Sequence, residues 1–161
     1  MHDPWGQAVG QERDGAFSLI EMVMVLVIMG ALASIAIPRH SNALVHYQAK
    51  AAAKRLAVDL QYARRHAIHT NASQTVSFDT TANSYELDGI QDLDVSTAPY
   101  IVRLSESPYR SRMLSADFGG DAQVVFDIYG VPDSGGQVVV ASGDWQKTIT
   151  LDAETGAVTV Q

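Results

Sequence analysis

Gly15–Pro38, GAFSLIEMVMVLVIMGALASIAIP, decides how the rest of the chain is read. Phe17 to Ile37 is a run of 21 residues whose only ionisable member is Glu21. As a helix it extends roughly 31 Å, about the thickness of a bilayer's hydrocarbon core. Val23, Val25, Val27 and Ile28 favour a strand in water. In lipid an unpaired backbone is too costly, so the run is expected to be a transmembrane helix. A carboxylate inside such a run is expensive to bury, which makes Glu21 a functional candidate that needs a partner.

The residues before the run form a leader, MHDPWGQAVGQERDGA, with Asp3, Glu12 and Asp14 against Arg13, net −2. An ordinary secretory signal has a basic start and a shorter apolar core. The junction Ala16-Phe17-Ser18-Leu19-Ile20-Glu21 resembles the class III signal of type IV prepilins and type II secretion pseudopilins. In that family a prepilin peptidase cuts before the Phe of an F-[ST]-L-[IV]-E motif. The resemblance implies cleavage between Ala16 and Phe17 and N-methylation of Phe17. It also implies an assembly role for Glu21, which becomes the fifth mature residue, and a helix kink at Pro38, which becomes the twenty-second. The acidic leader, and Ala where Gly is usual before the cut, depart from the family pattern.

Beyond Pro38 the helical pattern resumes without a linker. Val45, Ala49, Ala52, Leu56, Leu60, Ala63 and Ala67 recur at spacings of four and three, one apolar stripe of an amphipathic helix. Lys50, Lys54, Arg55, Asp59, Arg64 and Arg65 lie off it, and most are expected on a solvated face. The helix should run from about Phe17 to His69. After Asn71 the pattern alternates as in strands, at Thr75–Phe78 with a hairpin partner at Tyr85–Leu87, then at Tyr100–Leu104, Val124–Ile128, Val138–Val140, Thr148–Leu151 and Ala157–Val160. Gly89–Ala98 is expected to be loop, and Ser105–Asp121 shows no readable pattern. The chain is thus expected to divide into a leader (1–16), a transmembrane helix (17–37), its amphipathic continuation (38–70) and a β domain (71–161), which the resemblance to prepilins implies is periplasmic. This is an α+β layout, a long N-terminal helix packed on a small antiparallel β domain, with the helix stripe covering one sheet.

Three further stretches sharpen the resemblance toward the GspH/FimT group. Arg55–Ile68 carries its L-x-x-x-L-x-x-A-R-x-x-A-[IV] pattern. Val125–Pro132 resembles its F-x-x-x-G segment, and Thr155-Gly156-Ala157-Val158 its closing T-G-x-[VI] hairpin. The resemblance implies a non-enzymatic minor pseudopilin in the filament or tip complex of a type II secretion system. The alternative is a FimT-like minor pilin of a type IV pilus, involved in assembly or DNA uptake. Its partners would be the prepilin peptidase, other pseudopilins or pilins and the bacterial inner membrane, with the C-terminal domain periplasmic. One feature runs against that topology, because Arg39, Lys50, Lys54 and Arg55 follow the span and only Arg13 precedes it.

Other chemistries find little support. The chain has no cysteine, which excludes disulfides and thiol nucleophiles. His66 and His69 sit three apart with His40 and His46 upstream, but no third ligand is evident, so a surface pair is expected and no metal or other cofactor. Asp88, Asp92 and Asp94, and separately Asp117, Asp121, Asp127 and Asp133, offer oxygens for calcium without an EF-hand-like spacing. Removing the leader from a chain of net −7 leaves −5, and the last 48 residues hold a single cation, Lys147. DNA-binding members of the group carry Gly-Arg-x-Arg in the closing hairpin, where this chain has Gly156-Ala157-Val158-Thr159. Phosphate neutralisation needs clustered cations. A gel-shift of residues 39–161 at low salt should therefore show no retarded DNA complex. A salt-sensitive shift would restore the DNA-uptake reading.

Overall fold

The computed structural model describes residues 18–92 and 97–161, with the backbone alone for 34–42. Helix α1 (Leu19–Thr70) is followed by eight strands, β1 (Gln74–Asp79), β2 (Ser84–Gln91), β3 (Pro99–Arg103), β4 (Arg112–Phe118), β5 (Gln123–Phe126), β6 (Gly136–Ser142), β7 (Trp145–Leu151) and β8 (Val158–Val160). The chain divides into two units, Met1–His40 and Ser41–Gln161.

In the first unit every described side chain, 18–33, is exposed. Leu19 is 81% and Leu26 68% exposed, although both are strongly apolar. Among the described residues no helix is long and apolar enough to cross a membrane. The expected span, Phe17–Ile37, extends past both ends of 18–33, which alone is shorter than the roughly 20 residues a span takes. The leader, Ala16 and Phe17 lie outside the described residues, and Pro38 lies where the backbone alone is described.

The second unit has its own core. On its helix Ala49, Ala52, Leu56, Leu60, Ala63 and Ala67 are all buried, the stripe read from the sequence. Small residues on that stripe let the helix approach closely, and Leu56 and Leu60 fill the space between them. Opposite lie Val76, Tyr85, Leu87, Val124 and Phe126 from one sheet and Met113, Phe118, Val138, Val140, Ile149 and Leu151 from another. The helix ends at Asn71, whose φ of +52° suits a left-handed cap, and the Ala72 N–H returns to the Ala67 carbonyl at 3.3 Å.

The strands form two four-stranded antiparallel sheets, β3-β2-β1-β5 and β4-β6-β7-β8, where one sheet was expected. The divergence starts in the stretch without a readable pattern. It contains β4, in which only Met113 and Phe118 are buried and the register shifts at Leu114, so the alternation is broken. After Phe118, Gly119 and Gly120 take φ of +69° and +102°, and the Phe118 N–H donates to the Asp121 carbonyl. This corner sends the chain from one sheet to the other, and β5 pairs with β1 instead of β4. Phe78 and Phe118 stack across the two sheets at 5.1 Å. Asn83 adds a second tie. Its side-chain oxygen accepts the Met113 N–H and its carbonyl the Leu104 N–H, both at 2.8 Å. The β1–β2 hairpin is as expected, but β2 runs on to Gln91 into the stretch expected to be loop, of which 93–96 lie outside the described residues.

Leu60 is 1% exposed within the core cluster that draws on both sheets, so Leu60→Ala should cost about 2–5 kcal/mol through lost burial and a residual cavity. Lys54→Ala on the open face should stay within about 0.5 kcal/mol. Urea unfolding of residues 41–161 measures both, and equal costs would mean the stripe is not the packing face.

Candidate functional site

Glu21 stands in the first turn of α1, where a carboxylate is favoured by the helix dipole. Its N–H and that of Met22 both donate to the Ser18 carbonyl, at 2.9 and 3.2 Å, closing that turn. Ile20 and Met24 flank it, 67% and 64% exposed. The carboxylate thus sits among exposed apolar side chains.

At the other end of α1, Arg64 gathers three separate stretches. Its Nε donates to the Gly130 carbonyl at 2.9 Å. Gly130 has φ +75°, and a Cβ there would lie 2.7 Å from Ile68 Cδ1. Gly156 has φ +63°, and its Cβ would lie 3.0 Å from both Arg64 Nε and the Gly130 oxygen. Only glycine allows both loops to close on the arginine. Each loop is drawn tight by an aspartate. Asp127 Oδ1 accepts the Tyr129 and Val131 N–H groups at 2.9 and 2.8 Å. Asp152 Oδ1 accepts the Thr155 hydroxyl and the Thr155 and Glu154 N–H groups, which holds its carboxyl below the usual range. The helix end, the Gly130 segment and the closing turn were each readable as patterns; their meeting on one side chain was not.

Asp59 departs from the solvated face expected for it and is 3% exposed. The hydroxyls of Tyr85 and Tyr100 reach it from β2 and β3, at 2.6 and 3.1 Å. Arg55 Nε completes the cluster at 2.9 Å, and the same guanidinium also donates to the Tyr100 hydroxyl. One carboxylate thus takes three donors and pins the helix to the first sheet. The signal was available, since Asp59 lies between Leu56 and Leu60, with Arg55 one turn before it. Burial, with the Asp59 charge next, pushes the Tyr85 hydroxyl well above its ordinary value and Tyr100 up to about 12.

Several of the residues weighed for metals have other partners, while Asp94 lies outside the described residues and His40 where the backbone alone is described. His66 Nδ1 faces Gln74 Oε1 at 3.1 Å. Asp117 Oδ1 accepts the Gly120 N–H, Asp133 Oδ1 the Val125 N–H, and Asp88 the Ser77 hydroxyl. Among the described residues no group of three or more His, Asp or Glu is placed to hold a metal ion.

A family model described as "Type II transport protein GspH" matches residues 52–156, an interval that includes Asp59, Arg64, Gly130 and Gly156. The chain belongs to the GspH family. No curated protein matches it in sequence. Among solved structures, this GspH-family chain is similar to the type IV minor pilin FimU of Pseudomonas aeruginosa (strain PAO1). The TM-score is 0.53 at 13% identity, covering 71% of this chain and 89% of that one. It is similar too to the minor pseudopilin EpsH from the type 2 secretion system of Vibrio cholerae. There the TM-score is 0.55 at 17% identity, covering 71% and 96%. At such identities the likeness is one of fold, a helix on antiparallel sheets, and it agrees with the pilin-like α+β reading.

Asp59→Ala should cost roughly 3 kcal/mol, since two buried hydroxyls and a guanidinium lose their acceptor. The tyrosines set an alkaline limit. Their folded values lie above the unfolded value near 10, so the contribution is complete below about pH 10. It is lost as pH rises from there toward 12. The drop in the urea midpoint between pH 9 and 11 should be smaller in the Tyr85→Phe/Tyr100→Phe double variant. An equal drop would remove the tyrosines as its source.

Proposed function

We propose that this chain is a minor pseudopilin of a type II secretion system, a structural, non-enzymatic subunit that joins the pseudopilus or its tip complex through its N-terminal helix. The observation that carries the reading is the contrast along α1. Its later part is the buried wall of a self-contained domain, while Leu19–Ala33 presents apolar side chains on every side. Such a surface is stable in a bilayer or among like helices. In this reading residues 17–37 span the inner membrane and the domain is periplasmic. The prepilin peptidase cuts between Ala16 and Phe17 and methylates the new amine. Pro38 bends the helix where it leaves the apolar run, by removing one backbone hydrogen bond.

Glu21 then has a defined task. The new amine of Phe17 is a positive charge at the apolar end of the helix, and Glu21 is the opposite charge in the run. In a bundle of staggered helices a neighbour's amine can sit beside Glu21. In low dielectric an unpaired carboxylate is strongly disfavoured, so the pair selects one axial register. A second reading, a minor pilin of a type IV pilus, is favoured by the likeness to FimU, which is as close in fold as that to EpsH. Its DNA-uptake version would need a lesser patch at the adjacent Arg64 and Arg65, and Arg64 Nε is engaged with the Gly130 carbonyl.

N-terminal sequencing of the mature protein should start at Phe17; a start at Met1 or Ala16 would refute the register. Glu21→Leu should leave mature-chain size on a blot largely unchanged and reduce cross-linking to partner pseudopilins several-fold. Normal cross-linking would show that the charge pair does not guide assembly.

A further inference from the structure

One end of the second unit differs in chemistry from the rest of its surface. Five contacts define it. The Trp145 ring meets His46 edge-on at 4.7 Å, and Val45 fills the space beside Gly143. Ser142 Oγ reaches Gln48 Oε1 and the Arg110 carbonyl, each at 3.2 Å, and Arg112 pairs with Ala141. These contacts set Trp145, 47% exposed, beside the start of the unit's helix, where Leu44 and Tyr47 are 57% and 66% exposed and the Tyr47 ring lies 6.0 Å from that of His46. Beside them are Arg110 and Arg112, both exposed, and Lys147, half-buried on the same side of β7 as Ile149. Two carboxylates lie nearby, Asp144 in the same turn and Glu106, paired with Arg103 at 3.9 Å, in the loop that carries Arg110.

The opposite end carries the reverse charge. The β4–β5 corner, the approach to β6 and the β7–β8 turn bring Asp117, Asp121, Asp133, Asp152 and Glu154 together. That end stays acidic even against Arg64 and Arg65. Residues 41–161 hold nine Lys and Arg and fourteen Asp and Glu, net −5, so a cationic end on this unit is a local departure from its overall charge.

Exposed Trp and Tyr beside Arg and Lys match the chemistry of a headgroup layer, where amphipathic rings settle and cations meet lipid phosphates. The end is also within reach of one. Leu44 is seven residues beyond Ile37, the end of the apolar run, which is roughly 25 Å at full stretch. We infer that this end of the unit docks on an anionic bilayer surface. Its setting rests on the membrane reading of Phe17–Ile37. Trp145, Tyr47 and Leu44 enter the headgroup layer, Arg110, Arg112 and Lys147 face phosphates, and the acidic end is repelled outward. The domain is thereby held at the membrane surface before it joins a filament.

The test uses residues 41–161, a fragment that contains the whole core and, of the chain's two tryptophans, Trp145 alone. Titration with vesicles of equal phosphatidylglycerol and phosphatidylcholine at about 20 mM salt should shift Trp145 fluorescence to the blue and carry the protein into the vesicle pellet. Pure phosphatidylcholine should do neither. Arg112→Gln/Lys147→Gln should weaken the apparent affinity roughly twenty-five-fold, about five-fold per cation, with thermal unfolding unchanged. No shift with anionic vesicles, or an equal shift in the double variant, would overturn the inference. Concentration-dependent self-association lost in that variant, without vesicle binding, would overturn it too and assign the end to a neighbouring subunit's acidic surface. Carbonate extraction of the full chain reads the span independently, so the two failures are distinguishable.

Discussion

One helix has to meet two environments, and the rest of the structure follows from that constraint. Along Ala49–Ala67 its apolar residues fall on one stripe, which two sheets cover completely. Along Leu19–Ala33 they fall on every side, and the described side chains are all exposed. The first arrangement is how a helix becomes the wall of a small core. The second is unstable in water and stable where other apolar helices or lipid surround it. The core lies wholly within Ser41–Gln161, and none of the described side chains of the first unit belongs to it.

The helix is tied to the sheets by polar contacts at two levels as well as by packing. Near its middle, Asp59 collects Arg55, Tyr85 and Tyr100, which fastens it to the first sheet. Near its end, Arg64 holds the Gly130 loop and abuts the closing turn at Gly156. A carboxylate buried with three donors, and an arginine bonded to a carbonyl in a glycine turn, both tolerate little displacement. Together they fix both sheets on the later part of α1, within the second unit.

Much of this was legible in the chain. The seven-residue stripe was readable because helical periodicity reports direction directly, and six of the seven are buried while Val45 is half-buried. The strands with clean alternation were readable too, within a few residues. β4 was not, because its register shift puts Leu114 out of phase, and a strand with two buried residues in seven leaves a faint pattern. The split into two sheets depends on a glycine corner and on which edges meet, neither of which is encoded in local pattern. Asp59 was misplaced for a related reason. Periodicity shows which way a side chain points but not that two tyrosines 26 and 41 residues away will reach it. Of the candidate site, the glycines at Gly130 and Gly156 were visible as motif positions, while their shared partner Arg64 required the fold.

In the proposed function the exposed apolar part of α1 is an assembly surface. The chain has no cysteine of its own, so single cysteines can be introduced there without background. The direct measurement is oxidative disulfide mapping in cells, pairing cysteines at Val23, Leu26 and Met29 with cysteines in the corresponding helices of co-expressed pseudopilins. Lys54→Cys, on the open face of the domain's helix, serves as the comparison. Disulfides at some of the three positions, absent in a strain without the assembly machinery, are the predicted result. No disulfide at any of them when the machinery is active, with the chain stable and processed, would contradict the account.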